Sequence, residues 1–429
     1  MLDILKKTIS TKPKLKRTFQ SSLFILYSTA IGIFFLGDIF RKIAIYFECE
    51  FTRYSTISKV VVLILYFLFF IFNFKRYTEE EHFTKMITAI TILTCTFIIG
   101  QISLSDSISQ PLNFFLNIEY LVKYLYLPVT ILMFSSLKNE IKYVKKIIFF
   151  IEFIFIINLI FILIGFCFDI NVFSTYVGDR FGYIGIFSRS GQTSFFFIMF
   201  ILFYYRLLMD RLTKTNIFKF MFFIAVSLLL GTKRIYIFLV LLSLYYFFIQ
   251  KGFRNLITYK FLIIAILVGI CFKQNVIDSF NKIFLVSQKI YYNNGFISSL
   301  TSYRSDLFYN TFSQFVKNNW TFKNYIFGGP SFQNYIFITG MDFFDLYLFF
   351  GLTGMVVFLK IFNFLVDFKV QGNFMLFYFS TLAITSFFSS AFLYDPYVNL
   401  LFVIMIWYYS HHEKNKSTNT IKQTKKIEH

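Results

Sequence analysis

The sequence predicts an all-α, polytopic integral membrane protein with about twelve transmembrane helices and one large external loop containing short helices. Three observations lead there. Hydrophobic residues make up 57% of the 429 positions, charged ones only 15%, and 67 residues are Phe, a composition far from that of a soluble domain. Apolar runs of roughly 20 residues, the length a helix needs to cross the hydrocarbon core, recur from Leu23 to Tyr409 with short polar breaks. The alternating segments of about ten residues that a transmembrane barrel requires do not occur.

The elements follow in chain order. Residues 1–19 are basic and no small-residue cleavage site follows the first apolar run, so a cytoplasmic tail is expected rather than a removed signal. Nine helices are expected over 20–37, 58–74, 86–104, 114–135, 147–168, 191–209, 216–231, 234–250 and 258–273, filling the region 20–273 with an external loop at 169–190. Residues 274–341 form the large external loop. Helices at 342–364, 373–392 and 395–410 fill the region 342–410, and residues 411–429 read as a polar, disordered cytoplasmic tail.

A net charge of +20 raises the question of nucleic acid, and the placement of the charge answers it. Segments such as "KPKLKR", "LKNEIKYVKK", "YRLLMDRLTK" and "KGFRNLITYK" all fall on the side of the N-terminus when the spans alternate. Short basic loops on one side are the signature of cytoplasmic orientation. The charge therefore reports topology, with a secondary attraction to the anionic headgroups of membrane lipids, and predicts no nucleic-acid partner. Both termini are expected in the cytoplasm.

The large loop has an organisation of its own. Tyr303, Leu307, Phe308, Phe312 and Phe315 recur at nearly helical spacing, predicting a helix over 302–316 with one apolar stripe near the membrane surface. Gly328, Gly329 and Pro330 then break regular structure. The four cysteines, Cys49, Cys95, Cys167 and Cys271, have no paired spacing that would suggest a disulfide or a metal site. No phosphate loop, nucleophile elbow or dinucleotide fingerprint is present, so neither metal nor cofactor is expected.

Cations at the outward ends of spans carry the strongest chemical signal: Arg180 and Arg189 in the first loop, Lys233 and Arg234 in the turn "LLGTKRIY", and Arg304 at the head of the loop helix. Such groups are costly at a membrane unless a partner or a solvated cavity compensates them. A guanidinium fork donates two parallel hydrogen bonds to a phosphate, so converging arginines point to a pyrophosphate or polyanion. The competing reading is that each snorkels to water or, for Lys233 and Arg234, anchors a turn. Arg180 sits in "GDRFGYIG", between glycines that would let backbone approach a ligand.

All four histidines, His82, His411, His412 and His429, fall on the expected cytoplasmic side, leaving carboxylates, tyrosines or hydroxyls as bases for an external site. Asp342 and Asp345 share one helix face at the mouth of an apolar run. Asp342 is placed to cap that helix, whereas Asp345, one turn inside, is expected to need solvent, a cation or a reaction. On that reading Asp345→Asn costs more activity than Asp342→Asn, because Asn still caps. Asp306 is expected to pair with an arginine. Aromatics in the loop, Trp320 among them, fit a membrane-interface belt or a sugar-stacking surface.

Three stretches, "GDRFGYIGIFSRSGQTSFFF", "LLLGTKRIYIFLVLL" and "SYRSDLFYNTF" through "GMDFFDLYLFFGLTGMV", spread over residues 170–360, resemble the Wzy-type O-antigen or capsule repeat-unit polymerases. These belong to the wider O-antigen polymerase and ligase-like membrane glycosyltransferases. The resemblance implies an enzyme of the bacterial inner membrane whose substrate is an undecaprenyl-pyrophosphate-linked oligosaccharide. It would move a growing glycan from one such carrier to the non-reducing end of another lipid-linked unit at the outer face. Carried over by position, Arg180 and Arg304 would hold pyrophosphate, with Arg189, Lys233 and Arg234 assisting. Asp342 or Asp345 would serve as base or orienting group, and a chain-length regulator protein would be a further partner. The large loop lacks the histidine expected of the ligases, which counts against ligase. Spans nearly free of charge apart from Lys123, Glu152 and the edge positions count against the remaining rival, a lipid-linked oligosaccharide flippase or transporter.

Overall fold

A computed structural model describes residues 2–80, 82–105, 114–176, 181–250, 273–330, 339–366, 372–387 and 391–427; side chains are not described at 2–18, 114–116, 273–284 and 414–427. Among the described residues helices, joined by turns and loops, are the regular elements, with an isolated antiparallel bridge between Ser174 and Tyr183. In order the helices are α1 (Leu2–Tyr46), α2 (Tyr54–Phe72), α3 (Phe74–Thr78), α4 (Phe83–Ser105), α5 (Phe114–Phe134), α6 (Ile141–Phe168), α7 (Ser190–Asp210), α8 (Lys214–Leu228) and α9 (Lys233–Leu244). They continue as α10 (Lys273–Thr301), α11 (Arg304–Asn310), α12 (Phe322–Phe327), α13 (Asp342–Leu365), α14 (Asn373–Phe387) and α15 (Pro396–Ile427). Among the described residues seven segments, in α1, α2, α4, α5, α6, α7 and α13, are long and apolar enough to cross a membrane. The chain is a membrane-embedded helical protein.

The C-terminal end differs from the disordered tail expected there, and the N-terminal tail is helical as well. Backbone helix begins at Leu2 and runs unbroken into the first apolar stretch, and α15 continues through the polar residues as far as Ile427. Once a helix is nucleated by its packed portion, each added residue gains one hydrogen bond at little further entropic cost. The expected helix at 258–273 lies almost wholly outside the described residues.

Helices α7 and α15 form the centre. Every residue from Gln192 to Tyr205 is buried, as is every residue from Ala391 to Ser410. A helix that is apolar all round belongs inside a bundle, which accounts for the absence of an amphipathic stripe in either stretch. Phenylalanine does the packing: Phe155 of α6 stacks on Phe200 at 5.3 Å and on Phe223 at 5.6 Å, and meets Phe197 edge-on at 4.9 Å.

Hydrogen bonds sort the connections into two ends. At one, Gln20 donates to Glu140 (3.0 Å), His411 meets the Lys138 carbonyl (2.5 Å) and Arg206 pairs with Glu413 (2.5 Å). At the other, Arg41 donates to the Ser188 carbonyl (2.9 Å), Lys42 to that of Val172 (2.6 Å) and Arg234 to that of Gly191 (2.8 Å). The candidate residues described by the structure all lie at this second end.

One segment between α10 and α13 penetrates the bundle. Helix α12 and its glycine pair wedge between α4 and α13, where a side chain on Gly328 would stand 2.5 Å from the Phe349 carbonyl. Helix α13 breaks to admit them, with Gly351 at φ 58°, ψ −158°. The carbonyl freed at Leu348 accepts from the Gly329 N–H at 3.0 Å, so the break leaves no orphan there. Asn324 fastens the wedge by donating to the carbonyls of Gly100 (3.0 Å) and Gly328 (2.8 Å), while Gln101 donates to that of Pro330 (3.0 Å). Trp320 donates to the Gly329 carbonyl at 3.1 Å and packs with Phe315, Val316, Leu104 and Leu348, so it is a buried strut. The helix expected over 302–316 is α11 followed by a wider π-helical turn, Thr311–Val316, and its stripe reaches this cluster through Phe315 and Val316.

Gly351 tests the wedge. A β-carbon there would lie 2.4 Å from the Ile326 carbonyl oxygen, at a φ that disfavours side chains. Gly351→Ala is expected to cost at least about 1–3 kcal/mol from backbone strain. A lowered thermal-unfolding midpoint in detergent is the readout, and an unchanged midpoint would contradict the close packing.

Candidate functional site: a cationic cleft

A narrow cleft opens at the second end between the N-termini of α7 and α9 and the turn before α11. Its walls include Ser190, Ser194, Thr232, Lys233, Arg234 and Arg304, with about 40 Å³ of open space. That admits roughly three water-sized groups, the scale of one phosphate's oxygens. Tyr176 closes one side and Leu300 another.

Each cation is placed by a local feature. Thr232 is the N-cap of α9 with extended backbone, so Lys233 and Arg234 start the helix and point across the cleft. Lys233 donates to the Ser299 carbonyl, tying α9 to α10. Arg234 is buried, stacks 4.3 Å from the centre of the Phe195 ring and donates to the Gly191 carbonyl. Both therefore anchor the turn, as the competing reading expected, while also lining the cleft. Arg304 follows two left-handed residues, Ser302 (φ 54°) and Tyr303 (φ 66°), a costly pair for side chains of this kind. Its guanidinium lies over Gly340, where a β-carbon would come within 2.9 Å of Nε. Burial lowers the pKa of Arg304, opposed by Tyr176, Tyr394, Asp342 and Asp345. An arginine nonetheless keeps its proton in proteins.

The two aspartates are buried and bound to backbone. Met341 is the N-cap of α13, and Asp342 makes no capping bond. Instead Asp342 accepts from the N–H groups of Ala391 (3.0 Å) and Phe392 (2.8 Å), locking the start of α13 to the approach to α15. Asp345 folds back to accept from the Thr339 N–H (2.7 Å) and hydroxyl (2.8 Å) through Oδ1 and from the Gly340 N–H (3.2 Å) through Oδ2. The capping expected of Asp342 is thus absent, and Asp345 finds in the preceding turn the partners it was expected to seek elsewhere. Both carboxylates lie within electrostatic reach of Arg304, and Asp342 also of Arg234. Asp306 pairs with no arginine among its hydrogen bonds; it accepts from Ser298 (2.6 Å) and Asn294 (3.3 Å).

Arg180 lies outside the described residues. The glycines near it that are described have another use: a β-carbon on Gly182 would meet the Leu230 carbonyl at 2.4 Å, and one on Gly185 the Asn158 carbonyl at 2.7 Å. Their bare backbones let the loop dock on the α8–α9 turn and on α6. Arg189 is the N-cap residue of α7, next to the cleft residue Ser190, with its guanidinium 5.9 Å from the centre of the Tyr394 ring.

Beyond Arg189 the structure gathers charges that sequence reasoning did not bring together. Asp38 of α1 accepts from Gln192 at 3.1 Å; Lys59 of α2 approaches Asp395 at 3.9 Å; Lys123 of α5 pairs with Glu119 at 2.6 Å. Asp395 precedes α15 and accepts from the Tyr397 and Val398 N–H groups at 3.0 and 3.2 Å, as an N-cap does. Asp38, Lys59 and Arg189 all act on one another electrostatically, so five helices meet on one ionic group. Single charges at span edges gave no sign of it, because their convergence depends on how the helices pack. These are the span-edge charges and Lys123, set apart from the otherwise nearly charge-free spans, and packing brings them together.

Of the histidines, His82 packs on Phe364 at 4.4 Å, and His412 lies 2.9 Å from Asp210, so with His411 they sit at the end away from the cleft; His429 is outside the described residues. Among the described residues no group of His, Cys, Asp and Glu is arranged to hold a metal ion. Comparison with models of protein families, with curated proteins and with solved structures finds no match to this chain.

Proposed function

We propose that the chain is a membrane glycosyltransferase of the Wzy type, polymerising undecaprenyl-pyrophosphate-linked repeat units into O-antigen or capsular polysaccharide. One observation carries this reading: Lys233, Arg234 and Arg304, from two separate parts of the chain, line a single phosphate-sized cleft together with the hydroxyls of Ser190, Ser194 and Thr232. Three cations against the nearby Asp342 and Asp345 leave the cleft positive, and one phosphate of a pyrophosphate is the group that suits it.

In this reading the cleft end is the outer face of the inner membrane, both termini are cytoplasmic, twelve helices span the bilayer, and residues 274–341 form the external loop. The donor's bond between its anomeric carbon and the pyrophosphate oxygen breaks, and the electron pair leaves with the lipid pyrophosphate. The acceptor hydroxyl forms the new bond to that carbon and gives up its proton. The cations of the cleft hold the departing charge, the largest catalytic contribution. Arg189, next to the cleft residue Ser190, would assist, and Arg180, outside the described residues, keeps the pyrophosphate-holding role the resemblance implies. Asp345, whose Oδ2 accepts one hydrogen bond of 3.2 Å, keeps capacity to orient the hydroxyl or take its proton. Asp342 is a positioning residue. No cofactor enters the reaction, and a chain-length regulator would act from outside the chain.

The test is reconstitution in proteoliposomes with a synthetic undecaprenyl-pyrophosphate-linked repeat unit. A ladder of glycans with release of undecaprenyl pyrophosphate supports the reading, and single units alone would sink it. The buried ionic group around Lys59 and Asp395 favours a second reading, a lipid-linked oligosaccharide flippase, since transporters place ionisable residues inside the bundle. Substrate moved across the vesicle membrane without elongation would select it.

A further inference from the structure

We propose that a groove between α4 and α13, at the end of the bundle away from the cleft, binds one anionic phospholipid. This inference depends on the chain being membrane-embedded and not on the polymerase reading. The groove encloses about 360 Å³ between the N-terminal half of α4 and the C-terminal half of α13. Its floor is Ala89, Ile92, Val357 and Ile361, and Lys85 and Lys360 stand at its rim. Both lysines are exposed, and no carboxylate lines the groove.

The arrangement matches a lipid from headgroup to chain. From Lys85 to Ile92 the α4 wall rises roughly 10 Å at 1.5 Å per residue, and from Val357 to Phe364 the α13 wall spans the same height. An apolar slot of that depth takes the upper part of an acyl chain. Phe364 closes it at the charged end, where the amines of Lys85 and Lys138 lie 5.8 and 5.7 Å from its ring centre. Up to three ammonium groups thus surround the height at which a lipid phosphate would sit. Ammonium groups at a span terminus attract phosphatidylglycerol or cardiolipin and gain less from phosphatidylcholine, whose choline brings its own positive charge. Ile92 is 39% exposed, so the slot opens sideways toward the bilayer and a chain can enter from it.

The experiment is native mass spectrometry of the full chain released from nanodiscs containing equal phosphatidylglycerol and phosphatidylcholine. The wild type is expected to retain one phosphatidylglycerol in preference to phosphatidylcholine. The double variant Lys85→Gln with Lys360→Gln should lose that preference by roughly thirtyfold, the effect of two lysines near an anionic surface. Lys85→Arg with Lys360→Arg keeps the charge and should retain the lipid, which separates loss of binding from loss of fold. Equal retention of the two lipids by the wild type, or undiminished preference in the glutamine variant, would overturn the assignment.

Discussion

If the chain polymerises lipid-linked repeat units as proposed, alanine at Arg234 or at Arg304 is expected to leave the protein in the membrane while cutting that activity by about 10²- to 10³-fold, the usual effect of removing one preorganised donor to developing negative charge. Cells carrying either variant would show single repeat units in place of long chains on a polysaccharide gel. The two should nonetheless differ in stability. Arg234 is buried, stacked on Phe195 and bonded to the Gly191 carbonyl, so its loss also unpins α9 from α7. Arg304 lies over Gly340 at the turn before α11 and is only partly buried. The unfolding midpoint should therefore fall further for Arg234→Ala. Lysine at position 304 restores charge without the planar fork and should rescue only part of the activity. Long chains from both alanine variants would take the cations out of the reaction.

Helix positions were open to sequence reasoning because the membrane imposes a length and an apolarity that a linear reading detects. The span expected at 191–209 is α7, Ser190–Asp210, and that at 342–364 is α13, Asp342–Leu365. Convergence was open only in part. Lys233, Arg234 and Arg304 stood out as outward cations, and the structure brings them to one cleft. Asp38 and Lys59 did not stand out, since each is a single charge near a span end whose partner lies on a distant helix. Glycines were legible only in part for a related reason. Positive φ and close approach are properties a sequence can suggest, but what approaches is a matter of packing, and at Gly182 and Gly328 it is the chain's own backbone. A signal for the wedge did exist in "FGGPSFQN", since two adjacent glycines before a proline are a strange feature for a loop unless backbone must pass close to something.

The aspartate pair separates fold from chemistry, and the expected order differs from the one a helix cap would give. Both oxygens of Asp342 accept from N–H groups, those of Ala391 and Phe392, so an asparagine there must turn its own NH₂ toward one of these donors. A buried donor left facing a donor costs about 1–3 kcal/mol, and the lost negative charge adds to this beside Arg234 and Arg304. Asp342→Asn is therefore expected to lower the unfolding midpoint in detergent, with activity falling through lost fold. At Asp345 an asparagine can keep its oxygen on the Thr339 N–H and hydroxyl, giving up just the 3.2 Å contact with Gly340. Asp345→Asn should accordingly hold most of its stability while losing about 10²- to 10⁴-fold in polymerisation rate, as removal of a general base does. A stable Asp342→Asn protein would mean that the tie between α13 and the approach to α15 is unimportant. An active Asp345→Asn protein would strip that carboxylate of any part in handling the acceptor's proton, leaving the cations of the cleft to carry the reaction with solvent as base.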